Sequence, residues 1–165
     1  MYGDEASLAA ARAKLPLEEL RSSAGNDPDG LAKALLRWFK LHFFSWVDSL
    51  PCELCGSKTR GGQAVPPSPA DLAFGASRVE GHICETCAHL TRFPRYNDPV
   101  RLLESRRGRC GEWANCFALC AAAAGLDTRL VHDETDHVWL EIWSDSLGRW
   151  VHADPCENAW DSPLV

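Results

Sequence analysis

The order of apolar and polar residues divides the chain into a helical first third, an irregular middle and a closing run of one helix and several strands. Residues 4–22 read as helical, and Pro16 is placed to open a second short helix, because proline suits a first helical turn. A breaker cluster follows from Ala24 to Gly30, with Gly25, Asn26, Asp27 and Pro28. Across residues 30–49, Leu31, Leu35, Trp38, Phe39, Phe43 and Trp46 recur at helical spacing. That predicts a helix with an aromatic face in the core, with His42 packed beside it. Pro51 ends the pattern.

Residues 52–92 lack periodicity, and the stretch Gly61 to Pro69 is rich enough in glycine and proline to read as loop. Tyr96-Asn97-Asp98-Pro99 predicts a turn, with Pro99 opening a short helix through Arg106. Arg106-Arg107-Gly108-Arg109 is a basic loop, either a solvated connection or a substrate-facing one. Trp113, Cys116, Phe117, Cys120, Ala121 and Ala124 then follow i, i+3, i+4 spacing, which predicts a helix over 110–124 with one buried face. Gly125 stops it. Residues 128–132 predict a strand, 138–143 alternate as a second, and 149–154 return as a third after a turn from Ser144 to Gly148. Helices followed by antiparallel strands place the chain in the α+β class. There is no internal repeat.

Composition narrows this only a little. The 165 residues suit one domain, and 45% hydrophobic content excludes wholesale disorder. A net charge of −6 argues against a broad nucleic-acid surface. No run of 18 apolar residues is present, so no membrane span is expected. Met1-Tyr2-Gly3-Asp4-Glu5 is acidic and lacks an apolar stretch, so no secretory signal is expected. The eight cysteines are therefore expected to be reduced thiols.

Four of them form two CxxC pairs, Cys52/Cys55 and Cys84/Cys87, separated by 28 residues. Two such pairs can surround one tetrahedral Zn2+, and with four protein ligands that zinc is structural, one per chain. His82 and His89 are nearby, but the four-cysteine set is complete without them. Cys116 and Cys120 lie on the apolar helix face and read as inert core thiols. Cys110 is different: it heads the helix, where backbone N–H groups and the dipole favour a thiolate and can receive an oxyanion. A nucleophile needs a base and an orienting group. A hairpin turn at residues 145–148 gives a register that puts His137 and Asp154 on one sheet face, opposite or diagonal, so Asp154 can hold the His137 ring against Cys110. His132 and His152 read as structural.

Gly108-Arg109-Cys110-Gly111-Glu112-Trp113-Ala114-Asn115-Cys116-Phe117 resembles the nucleophile segment of cytoplasmic peptide:N-glycanases, within the transglutaminase-like thiol-enzyme superfamily. Asp136-His137-Val138-Trp139 resembles that family's histidine motif, and His152-Ala153-Asp154-Pro155-Cys156-Glu157 its aspartate motif. Arg92-Phe93-Pro94-Arg95-Tyr96-Asn97 and the two CxxC pairs match in order. The resemblance runs from about residue 31 to 165, and the first 30 residues match only loosely. It implies a papain-like transglutaminase core, in which a helix carrying the cysteine packs on an antiparallel sheet carrying histidine and aspartate. The division would be N-terminal helices over 1–50, an inserted zinc-binding module over 51–92 and a catalytic core over 93–165. The family continues past Leu164-Val165, so the core is expected to stop short of further strands, and to lack the adaptor-binding domain of animal members.

By the same resemblance Cys110 is the nucleophile, His137 the general base and acid, and Asp154 the orienting carboxylate. Arg129, Trp139, Glu141, Trp150 and Glu157 fall at positions where the family has functionally important or sugar-proximal residues. The implied reaction is hydrolysis of the amide joining a glycan to asparagine, leaving aspartate. The implied substrate is a misfolded N-glycoprotein with a high-mannose glycan, in the cytoplasm or also the nucleus, with a proteasome shuttle factor as partner and no nucleic acid or membrane. Two rivals remain open at the level of sequence: a non-catalytic binding module, and a transglutaminase or thiol protease using the same three residues.

Overall fold

The computed structural model describes residues 2–25, 27–134 and 136–163. Met1, Asn26 of the breaker cluster and Leu164-Val165 lie outside the described residues. The helices are α1 (Glu5–Arg12), α2 (Leu17–Ala24), α3 (Pro28–Trp38), α4 (Pro69–Ala73), α5 (Pro99–Ser105) and α6 (Cys110–Ala124). The strands are β1 (Ser45–Trp46), β2 (Thr59–Val65), β3 (Val79–Cys84), β4 (Leu90–Pro94), β5 (Arg107–Gly108), β6 (Thr128–His132), β7 (Val138–Ser144), β8 (Arg149–Asp154) and β9 (Ala159–Trp160). Among the described residues, no helix is long and apolar enough to cross a membrane.

Among the described residues the strands form three sheets. β6-β7-β8-β9 form an antiparallel sheet in that order, and β2-β3-β4 form a second. β1 and β5 pair in parallel, with Ser45 opposite Arg107 and Trp46 opposite Gly108. α6 lies at the centre, against β6 and β7 on one side and α1 and α5 on others. Nearly every residue from Glu112 to Ala124 is buried, so the single buried face expected from the spacing is too narrow a description. Small side chains at 114, 118, 121, 123 and 124 let neighbours approach from all sides. Gly125 ends the helix at φ +90°, as its position requires. The last carbonyls of α6 accept hydrogen bonds from Arg12 Nε (to Ala123, 3.3 Å) and Arg21 (to Ala124, 3.2 Å).

The helix predicted over 30–49 is shorter. Asp27 caps its start through the N–H groups of Asp29 and Gly30, and Pro28 takes the first turn, so the breaker cluster also initiates. After Trp38 one π-helical turn, Phe39–Phe43, ends the helix, and Ser45–Trp46 is strand. The wider turn brings Phe39, Phe43 and Phe44 together against Trp113 and Phe117, with ring centroids 5.2–5.6 Å apart. It also turns His42 to solvent, correcting the expected core histidine, and leaves Trp46 48% exposed.

Gly61 to Pro69 is not a loop throughout: Thr59–Val65 is strand β2. The glycines there serve the pairing. A side chain at Gly61 would strike the buried His82 ring at 2.4 Å, and Gly62 at φ +115° forms the bulge between Gly61 and Gln63. Gly108 is equally constrained, since an added Cβ would lie 2.3 Å from Glu112 Cβ. Gly108→Ala is expected to cost about 1–3 kcal/mol through overpacking, read as a lower melting temperature by circular dichroism. A melt equal to the parent's would show that the helix start yields easily.

Candidate active site

The β7–β8 register runs Glu141 opposite His152 and Trp143 opposite Trp150. Continued, it sets His137 diagonal to Asp154 on the face away from α6, as the turn length predicted. His137 Nε2 and Asp154 Oδ2 are 2.7 Å apart. A carboxylate only accepts, so Nε2 carries the proton and Nδ1 is the basic ring nitrogen. Asp154 is 1% exposed. Its other oxygen accepts from the N–H of Cys156 at 2.8 Å and, more weakly, of Glu157 at 3.4 Å. The carboxylate is thereby fixed on both sides.

Cys110 is the first residue of α6 and half-buried. Its Sγ lies 3.9 Å from the carbonyl oxygen of Asp136, so the thiol sits beside the segment carrying His137. Asp136 has φ +70°, and His137 O accepts from Asp133 N–H at 2.9 Å, which closes a tight loop between β6 and β7. The structure thus brings Cys110, His137 and Asp154 to one place from a helix start, a loop end and a strand end. The first N–H groups of α6 have no intrahelical acceptor, and a Cβ on Gly111 would meet nothing within 4 Å, so the space beside the thiol is open.

Four of the five expected sugar-proximal residues share the solvent-side face of the same sheet. Arg129 pairs with Glu141 at 2.5–2.7 Å and lies 4.4 Å over the Trp150 ring. Trp139 stacks on His137 with centroids 5.7 Å apart and leans on His152 at 5.8 Å. Burial lowers the His152 pKa, so that ring is neutral near pH 7. Glu157 lies apart from them. It approaches Lys40 at 3.7 Å and lines a cleft of about 530 Å³ with Trp46, Trp113 and Cys156. Trp46 was read from sequence as core, and its apolar spacing concealed its place in that cleft. Cys116 and Cys120 are buried, as expected, and so is Cys156. Desolvation raises the pKa of Cys116 and Cys156, which keeps them protonated and inert.

The basic loop is in part the solvated connection its sequence suggested, with Arg106 and Arg107 exposed, but it is also tied to its surroundings. Arg106 packs 4.6 Å over the Phe43 ring, Arg107 and Gly108 form β5, and Arg109 is clamped by buried carboxylates. Glu80, Glu112 and Arg95, which complete that clamp, were not identified from sequence. The only signal was Glu112 three residues after the helix N-cap.

The sulfurs of Cys52, Cys55, Cys84 and Cys87 all lie within 4.8 Å of one another, the closest pairs at 3.5–3.6 Å. Ligands about 2.3 Å from a tetrahedral zinc stand about 3.8 Å apart, so this set could hold such an ion without rearrangement. Hydrogen bonds from Ser57 pull the Cys55 pKa down to about 6, and the N–H groups of Cys87 and Thr86 lower Cys84. His89 bonds Glu53 at 2.8 Å, and His82 is buried against Phe93 away from the cluster.

With this geometry in place, comparison identifies the class. Residues 63–155, more than half the chain, match the transglutaminase-like superfamily model, and the chain belongs to that superfamily. Its relatives include proteins named peptide-N(4)-(N-acetyl-beta-glucosaminyl)asparagine amidase. That of Gallus gallus is 49% identical over 171 residues, covering 94% of this chain and 26% of the relative. That of Arabidopsis thaliana is 46% identical over 179 residues, covering 100% and 25%. That of Homo sapiens is 51% identical over 141 residues, covering 85% and 22%. The chain therefore spans about a quarter of the length of these relatives.

Proposed function

We propose that this chain carries the catalytic core of a deglycosylating amidase, which hydrolyses the bond between the proximal N-acetylglucosamine and an asparagine side chain. The observation that carries the reading is the 2.7 Å His137–Asp154 pair beside a thiol at a helix start. In this mechanism His137 Nδ1 takes the Cys110 proton, and Sγ adds to the asparagine side-chain carbonyl carbon. The oxyanion faces the first N–H groups of α6. The C–N bond breaks as His137 returns the proton to the leaving glycosylamine, giving a thioester. Water, deprotonated by His137, attacks that carbonyl, the C–S bond breaks, and aspartate and free thiol result.

The aromatic and charged face formed by Arg129, Trp139, Glu141 and Trp150 would receive the glycan, indole faces covering sugar faces and the ions bonding hydroxyls. Glu157 would act from the neighbouring cleft. Cys52, Cys55, Cys84 and Cys87 would hold one structural zinc, which supplies folding energy rather than chemistry. Eight cysteines with no disulfide among them suit a reducing compartment, so cytoplasmic action on misfolded high-mannose glycoproteins, with nuclear presence and a proteasome shuttle partner, completes the proposal.

The test is release of glycan from a denatured high-mannose glycoprotein by the zinc-loaded chain. The expected result is free glycan with asparagine converted to aspartate, abolished in Cys110→Ala. Amine incorporation at glutamine without glycan release would point instead to a transglutaminase. Binding without any turnover would point to a non-catalytic module.

A further inference from the structure

The residue just before the thiol is held more completely than a helix start requires. Arg109 donates through Nη1 and Nη2 to the two oxygens of Glu80, at 2.9 and 2.7 Å, and through Nε to the Val47 carbonyl at 3.0 Å. Its own N–H donates to Glu112 Oε2 at 2.9 Å. Arg95 donates to both oxygens of Glu112, at 2.5 and 2.8 Å, and to Glu80 at 3.0 Å, while Arg78 reaches Glu80 at 3.2 Å. Both carboxylates are 5% exposed. Two buried carboxylates and three arginines thus join β3, the end of β4 and the segment after β1 to the first turn of α6.

Stability alone does not account for such a set. Desolvating buried ions costs several kcal/mol each, and a well-packed apolar cluster can do as well. What paired forks add is direction: a bidentate guanidinium–carboxylate contact fixes both planes. The fork here belongs to the residue adjoining Cys110, and its carboxylate belongs to another sheet. Burial would raise Glu80, yet the Arg109 and Arg95 contacts overcome it and leave its pKa below the ordinary carboxylate value, so the anion persists in the fold.

We propose that Glu80 is a positioning residue: acting through Arg109, it sets the backbone orientation from which Cys110 presents its thiol, with Glu112 and Arg95 locking the same turn from within the helix. This rests on the reading of Cys110 as the nucleophile. Glu80 lies four residues before the metal-site Cys84 on the same strand, so the clamp also links the cysteine cluster to the thiol.

The test uses the full zinc-loaded chain as parent, Glu80→Gln, Arg109→Lys and the double variant. It reads kcat and KM on a glycopeptide, and the iodoacetamide alkylation rate of the Cys110 peptide by mass spectrometry at fixed pH. Glu80→Gln is expected to lower kcat and Cys110 alkylation by about ten-fold or more with KM within about two-fold, because small misplacements of a nucleophile cost that much. Adding Arg109→Lys should then cost under about two-fold more, the signature of one shared pathway. Alkylation and kcat within about two-fold of the parent in a folded Glu80→Gln protein, or losses that multiply in the double variant, would overturn it. Should Glu80→Gln fail to fold, Arg109→Lys alone decides by the same thresholds. Loss of alkylation with no amidase activity even in the parent would retain the positioning role and remove the amidase reading.

Discussion

Asp154→Asn is expected to lower kcat by about 10⁴-fold with little change in KM. The reason is specific to how the carboxylate is held. Its Oδ1 accepts from the N–H of Cys156 and more weakly from that of Glu157, and its Oδ2 from His137. An asparagine must keep its oxygen towards the two backbone donors, which turns its NH₂ towards His137 Nε2. That nitrogen can then only accept, so the ring proton moves to Nδ1 and the imidazole meets the thiol as a donor rather than a base. Steady-state kinetics on a glycopeptide decide the matter, with a melt to establish that the variant folds like the parent. A loss under about ten-fold would mean that the amide has flipped or that orientation by Asp154 contributes little.

Stripping the metal, or replacing Cys84 by serine, is expected to be the most damaging change to stability. Among the described residues, the apolar cluster that includes Phe93 of the β2-β3-β4 sheet holds just Val47, Leu50 and Phe93, too small to secure a fold of its own. Structural zinc contributes about 10–16 kcal/mol in small domains, and losing even about 5 kcal/mol of that lowers Tm by roughly 10–20 °C at this chain length. Because β3 also carries Glu80, the loss should spread to α6, and one cooperative transition should shift as a whole. Zinc content by atomic absorption and thermal melts before and after chelation provide the measurement. Identical melts for zinc-loaded and stripped protein would remove the structural role.

The sequence was most legible where chemistry and local geometry coincide. The hairpin register followed from turn length, because side chains alternate strictly along a strand, and it put His137 beside Asp154 correctly. Two CxxC pairs announced their cluster, since few other patterns gather four thiols. Legibility failed where long-range packing overrode a local signal. Helical spacing ran on past Phe43 without revealing the π turn that exposes His42 and Trp46. Glycines that look like loop markers in β2 were making room for His82 and a bulge. The Glu80 clamp gave no warning beyond Glu112 at the helix start, because Glu80 and its partners lie up to 29 residues apart and meet only once two sheets and a helix are assembled.

The far end of α6 is held on a different principle, which bears on how freely its contacting residues could be exchanged. Arg12 and Arg21 reach carbonyl oxygens of Ala123 and Ala124, not side chains. Backbone acceptors are the same whatever residue occupies those positions, so the contact asks only for a donor of sufficient length at the right distance. That contact constrains the donor alone, while Ala11, Leu15 and Leu20 of the same segment must stay apolar to fill the core. The thiol end is recognised side chain by side chain, and there each substitution must be answered by another.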